Sequence, residues 1–260
     1  MTDIRVEQGM TGGELPFGVP DLPDVFFEAV RRRFSLDGSG RMLALWRGAG
    51  SFLPFAEDFE SVLLVDPEPG RLADSMWEAE RLGIENTVFL EGGREVLHPR
   101  MGRFRLIIVQ APFLRKDRTR ILSFLAGMTE PQGGVVIGDV YRCGPLADWQ
   151  KAVLEVLRER VGRGGLSGSY PNLSAVGDGQ SLPFRNTANC TYRWTQKRTI
   201  GQAVVDILSV WPPPFNERAG LEEALRAALR QAEPSGVLEE RLKLAAIFAW
   251  NGTDAGKRSA

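Results

Sequence analysis

The chain has 260 residues, of which 43% are hydrophobic and 25% are charged, the composition of an ordinary globular protein with a sizeable core. Its formal net charge of −1 and its pI near 6.0 exclude a general electrostatic attraction to nucleic acid or to anionic membranes. No run approaches the length of a membrane-spanning helix, and residues 1–5 are too polar for a signal peptide. We therefore expect a cytoplasmic protein with neither a membrane nor a nucleic-acid partner.

Residues 1–19 are rich in Gly and Pro and are predicted to be an N-terminal arm. From residue 20 to 140, short apolar runs alternate with amphipathic segments, which is typical of an α/β protein with a Rossmann-like, doubly wound, mostly parallel sheet. The predicted strands are 41–45, 61–65, 87–90, 103–110 and 135–140. The predicted helices are 21–34, 52–59, 67–82 and a segment around 121–125. Residues 130–134, which contain Pro131, are predicted to be a turn before the fifth strand.

The pattern changes after residue 140, and we predict that residues 141–235 form a helical cap over the substrate region. Within it, helices are expected at 146–161, 199–210 and 220–232, a Gly- and Ser-rich loop at 162–183, and an extended segment at 184–194. Residues 236–260 are predicted to contain a final strand, 241–250, that returns to the sheet, followed by a tail.

Metal binding is not expected. The two cysteines, Cys143 and Cys190, lie far apart in the sequence, and the single histidine, His98, precedes a proline in a predicted loop. Neither cysteine has a partner at the spacing that metal sites use, so we predict two unlinked thiols and no metal.

The most informative segment is 43–50, an apolar strand that runs into a turn containing Gly48 and Gly50, followed by a second strand that ends at Asp66. Open glycine backbone and an acid at the end of the next strand are what a nucleoside-binding crevice requires, because the acid accepts hydrogen bonds from ribose hydroxyls. Asp66 has an alternative role as the N-cap of the helix that begins near Pro67. Both roles remain open at the level of sequence.

Four segments carry a resemblance to a known family: 43–50, 65–69 with Asp66-Pro67, 91–95, and 130–134. In order and spacing they resemble class I S-adenosylmethionine-dependent methyltransferases of the type 11 group, which act on small molecules, and the resemblance covers residues 20–140. It implies S-adenosylmethionine as the cofactor and methyl transfer to a small molecule, such as a specialised metabolite. The positions that match the family's cofactor site are Trp46, Gly48, Gly50, Asp66, Gly92, Gly93 and Arg94.

The chain departs from the family pattern at several of these positions. Ala44 replaces the usual acid and Trp46 the first glycine, while Gly93 and Arg94 replace the residues that would hold the adenine. The indole of Trp46 has two possible positions, in the core or in the cofactor pocket. Arg47 has two roles open to it, binding a carboxylate or phosphate, or lying at the surface.

Candidates for acid–base chemistry are Gln110, Asp139 and Tyr141. Aromatic candidates for a substrate pocket are Phe113, Trp149, Tyr170, Tyr192 and Trp194. The departures from the family pattern leave two alternatives to methyl transfer. One is a repurposed enzyme of the same fold that performs a cyclisation, isomerisation or elimination, and the other is a non-catalytic partner protein.

Overall fold

The fold is given by a computed structural model, which describes residue 17 and residues 20–114, 118–161, 182–210 and 215–252. The chain divides into two compact units. The larger unit comprises Asp21–Val140, Leu173–Tyr192 and Leu244–Ala260. The smaller unit comprises Met1–Pro20, Tyr141–Asn172 and Arg193–Lys243.

The strands of the described residues form one seven-stranded sheet. They are β1 (Arg41–Leu45), β2 (Ser61–Asp66), β3 (Thr87–Glu91), β4 (Phe104–Gln110), β5 (Thr129–Arg142), β6 (Asn186–Thr199) and β7 (Val237–Trp250). Their order in the sheet is β3-β2-β1-β4-β5-β7-β6. The pairs β1–β2, β2–β3, β1–β4 and β4–β5 are parallel, with Leu43 of β1 opposite Leu63 on one side and Ile107 on the other. The predicted α/β class with a mostly parallel sheet is confirmed.

Six α-helices lie in the described residues. They are α1 (Asp24–Phe34), α2 (Pro69–Leu82), α3 (Arg118–Gly127), α4 (Asp148–Val161), α5 (Ile200–Val210) and α6 (Phe215–Ala232). Capping residues at both ends explain why α2 begins and ends where it does. The Glu68 side chain accepts hydrogen bonds from the N–H groups of Gly70 and Arg71, and Gly83 ends the helix in the left-handed conformation at φ 69°. The helix predicted at 52–59 is a 3-10 helix, Ala49–Asp58, which contains Pro54.

The core of the larger unit lies around β1 and β4. Leu43, Leu45, Ile107 and Val109 are fully buried, as expected for strands covered on both faces of a parallel sheet. The described bounds of β1 to β4 agree with the predicted ones to within one residue. The smaller unit has its own apolar cluster, formed by α4, α5 and α6 with Phe17.

Two segments differ from the prediction. The residues expected to form a turn at 130–134 belong to β5, where Phe104 pairs with Thr129 and Leu106 pairs with Gly134. The residues between these two pairs bulge opposite Arg105, and Pro131 can be accommodated there because a bulge leaves residues out of the ladder. The second difference is β6, which shows that the region predicted as a helical cap also contains a strand of the sheet.

The predicted final strand is present as β7, which lies between β5 and β6 in the sheet. Its first residue is Val237, four positions before the predicted start. Throughout the described ranges, no helix combines the length and the hydrophobicity that crossing a membrane requires. Cys143 and Cys190 are both free thiols.

Candidate nucleoside-binding crevice

A cavity of about 380 Å³ opens at the carboxyl ends of the strands in the larger unit. Residues from the loops after four successive strands line it: Arg47 after β1, Pro67 after β2, Gly93, Arg94 and Glu95 after β3, and Pro112 and Phe113 after β4. The chain places β2 on one side of β1 and β4 on the other, so the order of strands reverses there. Ligands of open α/β sheets bind in the crevice at this reversal, and the volume is in the range of small-molecule sites.

Asp66, the last residue of β2, is 1% exposed and accepts four hydrogen bonds. The backbone N–H of Gly48 donates to Oδ2 at 2.5 Å, and the N–H of Glu68 donates to Oδ1 at 2.9 Å. The guanidinium of Arg71 supplies the other two, from Nε to Oδ2 at 3.3 Å and from Nη2 to Oδ1 at 3.1 Å. One carboxylate therefore joins the loop after β1, the end of β2 and the first turn of α2.

These contacts decide whether Asp66 can bind a ribose as it stands. An ionised carboxylate has about four acceptor positions, and all four are used here. Two of the donors are fixed backbone groups, but the other two belong to one long side chain. Neither Asp66 nor Arg71 is among the residues that line the cavity, although Pro67, which follows Asp66, is one of them. Ribose hydroxyls could therefore bind Asp66 only in place of the Arg71 guanidinium. The sequence left open whether Asp66 binds ribose or caps α2. The N-cap of α2 is Glu68 and not Asp66.

Glu68 and Arg71 shape the start of α2 beside Asp66. Burial raises the pKa of Glu68, but the backbone N–H groups of Arg71 and Gly70 and the Arg71 charge together hold it below its ordinary value. Arg71 was missed in the sequence, although one signal was available. A cation in the first turn of a helix opposes the helix dipole, which indicates that a nearby acid holds it there.

Gly48 and Gly50 have separate functions in the loop after β1. Gly48 has a φ of 74°, which L side chains rarely adopt, and this conformation accompanies the hydrogen bond from its N–H to Asp66. Gly50 faces α2, where an added Cβ would lie 2.3 Å from the Ser75 hydroxyl oxygen. Gly50 therefore permits close packing of a helix, and it does not line the cavity.

Trp46 lies in the core, which distinguishes between its two possible positions. Its side chain is 4% exposed, and its ring contacts Phe52 edge to face at 5.3 Å between centroids. The far edge of the indole also approaches Gly138 of β5, where an added Cβ would lie 3.5 Å from it. The residues that line the crevice cavity do not include Trp46.

Gln110, the last residue of β4, and Asp139, within β5, form a polar chain. Gln110 donates from Nε2 to Oδ1 of Asp139 at 2.9 Å, and its Oε1 accepts a hydrogen bond from the backbone N–H of Arg47 at 3.1 Å. Asp139 is 3% exposed. Both side chains therefore hold the loop after β1 in position, and neither is among the residues that line the cavity.

The loop after β3 brings two predicted cofactor residues, Gly93 and Arg94, to the cavity. Gly92 precedes them at φ 143°, and its N–H donates to the backbone carbonyl of Asp66 at 3.1 Å. Glu95 also lines the cavity, and its carboxylate accepts a hydrogen bond from the N–H of Gly93. The sequence prediction did not include Glu95, because one acid in a loop carries no distinguishing pattern. Of the predicted aromatic pocket residues, Phe113 is the one that lines this cavity.

The other predicted site residues lie elsewhere. Tyr141, Trp149 and Trp194 belong to the smaller unit, where the indole of Trp149 is buried and donates to the Glu239 carbonyl at 3.0 Å. Trp149 borders a separate cavity of about 460 Å³ within that unit. Tyr170 lies outside the described residues.

Tyr192 belongs to the larger unit and packs edge to face on Phe26 at 5.8 Å. Burial, with a smaller contribution from Cys190, raises the pKa of the Tyr192 hydroxyl. A phenol that resists ionisation is a poor general base near neutral pH, and this argues against that role for Tyr192.

No cluster of three or more His, Cys, Asp or Glu side chains is placed to hold a metal ion in the part of the chain that the structure describes. His98 is exposed, and its Nδ1 accepts a hydrogen bond from the backbone N–H of Arg100 at 3.1 Å. This contact makes His98 part of a local turn.

No protein-family model and no curated protein matches the sequence. Among solved structures, the chain resembles precorrin 8w decarboxylase from Methanobacterium thermoautotrophicum, with 13% identity, 94% of this chain and 97% of that chain covered, and a TM-score of 0.50. It also resembles the [4+2]-cyclase SpnF, with 12% identity, 95% and 89% coverage, and a TM-score of 0.49. A third is coclaurine N-methyltransferase bound to N-methylheliamine and S-adenosylhomocysteine, with 13% identity, 92% and 77% coverage, and a TM-score of 0.48.

At this level of identity the comparisons establish the fold alone. The likeness to the decarboxylase, together with the order of strands, shows that the chain has a Rossmann-like, doubly wound fold. That is the fold which the sequence resemblance predicted.

Proposed function

We propose that the chain is an S-adenosylmethionine-dependent methyltransferase that acts on a small molecule, such as a specialised metabolite. The observation that carries the proposal is the cavity at the reversal point between β1 and β4, bounded by the loops after four strands. A crevice in this position of a doubly wound sheet is where nucleoside ligands bind. The burial of Trp46 beside Phe52 supports the proposal, because the indole leaves the cavity open.

Different residues of the crevice are suited to bind different parts of the cofactor. Arg47 is suited to bind the amino-acid carboxylate, because a guanidinium binds carboxylates through two parallel hydrogen bonds. Pro112 and Phe113 offer an apolar wall against which a flat base can pack. Asp66 would bind the ribose hydroxyls after the exchange with Arg71. When bound, S-adenosylmethionine supplies an activated methyl group.

The chain's own contribution to the reaction is mainly positioning. Aligning two reacting groups can lower a barrier by several kcal/mol without a dedicated base, on the order of 7–11 kcal/mol in well-oriented model reactions. If the acceptor must lose a proton, Glu95 is the acidic residue among those that line the cavity. Gln110 and Asp139 act indirectly, by holding the backbone of Arg47.

The proposal is tested by cofactor binding and by transfer of label. Saturating S-adenosylmethionine or S-adenosylhomocysteine should stabilise the protein by about 2.7 kcal/mol at 100 times the dissociation constant. With methyl-labelled cofactor and a small-molecule extract of the source cells, label should appear in a low-mass product as S-adenosylhomocysteine is released.

Arg47→Met should weaken cofactor binding, whereas Arg81→Met, an exposed arginine of α2 paired with Glu78, should leave it unchanged. Binding that is equal in these two variants would remove Arg47 from the site. Failure of the wild type to transfer label, whether or not it binds cofactor, would end the proposal.

A second function, catalysis without methyl transfer, is favoured by the four hydrogen bonds at Asp66. A ribose-binding acid whose acceptor positions are all occupied is compatible with a crevice that takes another ligand. Protein freed of any cofactor should then still consume a component of the same extract. Strict dependence of that turnover on added S-adenosylmethionine would eliminate this alternative.

A further inference from the structure

The guanidinium of Arg71 and a ribose diol require the same two positions on Asp66. The side-chain nitrogens Nε and Nη2 each donate to a different oxygen of the carboxylate, at 3.3 and 3.1 Å. A vicinal diol also carries two donors side by side, and it binds a carboxylate through one hydrogen bond to each oxygen. The N–H groups of Gly48 and Glu68 hold the remaining acceptor positions.

We infer that Arg71 is an internal competitor of the nucleoside and the residue that sets the affinity of this crevice for its ligand. The inference rests on the proposed function, because it concerns the same site. Ribose binding must break a fork of two hydrogen bonds that the empty site already makes. Any replacement at position 71 that cannot make this fork should therefore bind the nucleoside more tightly.

The surroundings of Arg71 allow this exchange. Its side chain is 11% exposed, whereas that of Asp66 is 1% exposed, so the arginine has a route to solvent and the acid does not. Arg71 lies in the first turn of α2, and the Glu68 carboxylate accepts a hydrogen bond from its backbone N–H at 2.8 Å. Glu68 is also close enough to interact electrostatically with the Arg71 charge. A guanidinium that leaves Asp66 therefore has a second acid within reach.

The backbone donors keep Asp66 in place during the exchange. The N–H groups of Gly48 and Glu68 belong to the loop after β1 and to the turn before α2, and they do not depend on the Arg71 side chain. The carboxylate therefore stays oriented when Arg71 leaves, and the two vacated positions, one on each oxygen, suit the two hydroxyls of a diol.

The test measures S-adenosylhomocysteine binding by calorimetry for four proteins. They are the wild type, Arg71→Met, Arg71→Lys and the matched control Arg81→Met. Methionine has no donor, so Arg71→Met should bind about tenfold more tightly or better, where tenfold corresponds to ~1.4 kcal/mol. Lysine keeps the charge but lacks the planar fork, so its affinity should lie between those of wild type and Arg71→Met. Arg81→Met should match the wild type.

A second comparison ties the gain to the diol. Adenosine should bind Arg71→Met more tightly than wild type. In contrast, 2′,3′-dideoxyadenosine lacks the hydroxyls that compete for Asp66 and should bind both proteins equally. The NMR signals of the arginine Nε–H groups give a second readout on the wild-type protein. A variant is needed only to assign the Arg71 signal. The Arg71 signal should move when S-adenosylhomocysteine is added to the wild type, and the Arg81 signal should not.

The outcomes separate this inference from the proposed function. Equal affinity of wild type and Arg71→Met for S-adenosylhomocysteine, or a gain that persists with the dideoxynucleoside, overturns the inference. If methyl transfer is observed alongside equal affinities, the inference fails and the function stands. If Arg71→Met binds more tightly but neither protein transfers a methyl group, the function fails and the inference stands. No binding by any of the four proteins overturns both.

Discussion

Asp66 is a buried charge that the surrounding structure satisfies completely. Transfer of an ionised carboxylate to a protein interior is unfavourable unless it is paired and hydrogen-bonded. Here two backbone N–H groups and one guanidinium provide the pairing. Because those donors come from the loop after β1 and from the start of α2, the carboxylate fixes the relative positions of these two segments. This side chain thus has an architectural role whether or not a nucleoside binds.

Trp46 should matter for stability and little for ligand binding. Trp46→Ala should lower the free energy of unfolding by about 3–5 kcal/mol, because a buried indole that packs on Phe52 is replaced by a cavity. Its effect on the S-adenosylhomocysteine dissociation constant should stay within about threefold. Urea unfolding and calorimetry measure the two quantities.

Phe113→Ala is the matched comparison, because Phe113 lines the cavity and Trp46 does not. Phe113→Ala should weaken S-adenosylhomocysteine binding more than Trp46→Ala does, and it should lower the free energy of unfolding less. A marked gain in affinity in Trp46→Ala would show that the indole obstructs the crevice after all.

Glu68 should contribute stability that disappears in acid. Its folded-state pKa lies below the ordinary value of 4.5, so the contribution is present above that value and is lost as the pH falls through the folded-state pKa. Glu68→Gln should cost about 0.5–1 kcal/mol at neutral pH, a cap energy reduced by solvent screening.

The difference in unfolding free energy between wild type and Glu68→Gln should therefore shrink below pH 4.5. Denaturant unfolding across this range measures it, with Glu80→Gln, on the exposed face of α2, as the control. A difference that stays constant down to low pH would contradict the assigned direction.

At the scale of elements, the approach of α2 to the loop after β1 depends on Gly50. Gly50→Ala would place a Cβ 2.3 Å from the Ser75 hydroxyl oxygen and 2.9 Å from the Ser75 Cβ, so it should destabilise by about 1–3 kcal/mol. Adding Ser75→Gly removes both contacts and should recover part of the loss, which is a coupling that a double-mutant cycle measures.

Gly127→Ala is the control for this cycle. It lies in α3, where no atom other than those of its chain neighbours and the helix backbone is within 4 Å of the added Cβ, and it should leave stability unchanged or raise it by up to about 1 kcal/mol. Additive effects of Gly50→Ala and Ser75→Gly would show that the two residues do not limit the packing.

The elements that the sequence predicted correctly are those with a local cause. Strands β1 to β4 are short runs rich in apolar residues, and α2 has both of its end signals. Strand β6 was predicted only in part, because its exposed and half-buried positions alternate along most of its length and leave no apolar face to detect. Residues 130–134 were predicted to be a turn, because Pro and Gly occur in turns as well as in β-bulges.

The sequence predicted a crevice at the ends of β1 and β2 because glycine positions and an acid at the end of a strand are visible in it, and the structure has a cavity at this edge of the sheet. That a nucleoside binds there stays a prediction. The detail of the crevice was not predictable. The position of the Trp46 indole and the fork between Arg71 and Asp66 depend on side-chain rotamers, which are chosen by packing partners far apart in the sequence.

At the scale of the whole molecule, charge balance sets the solution behaviour. With 32 basic and 33 acidic residues, the net charge passes through zero near pH 6.0. Proteins with a net charge near zero associate more readily. Light scattering should therefore show the greatest self-association near pH 6.0 and less on either side. Scattering that does not vary across this range would show that apolar contacts, and not net charge, govern association.

Both compact units contain buried indoles, Trp46 and Trp250 in the larger unit and Trp149 in the smaller one. A shielded indole emits at shorter wavelengths than a hydrated one and is poorly reached by soluble quenchers. The chain has six tryptophans, so variants in which Trp46 or Trp149 is the single tryptophan left would report on each unit separately during denaturation. Coincident curves would reveal a single cooperative transition, and displaced curves would reveal that one unit melts while the other persists.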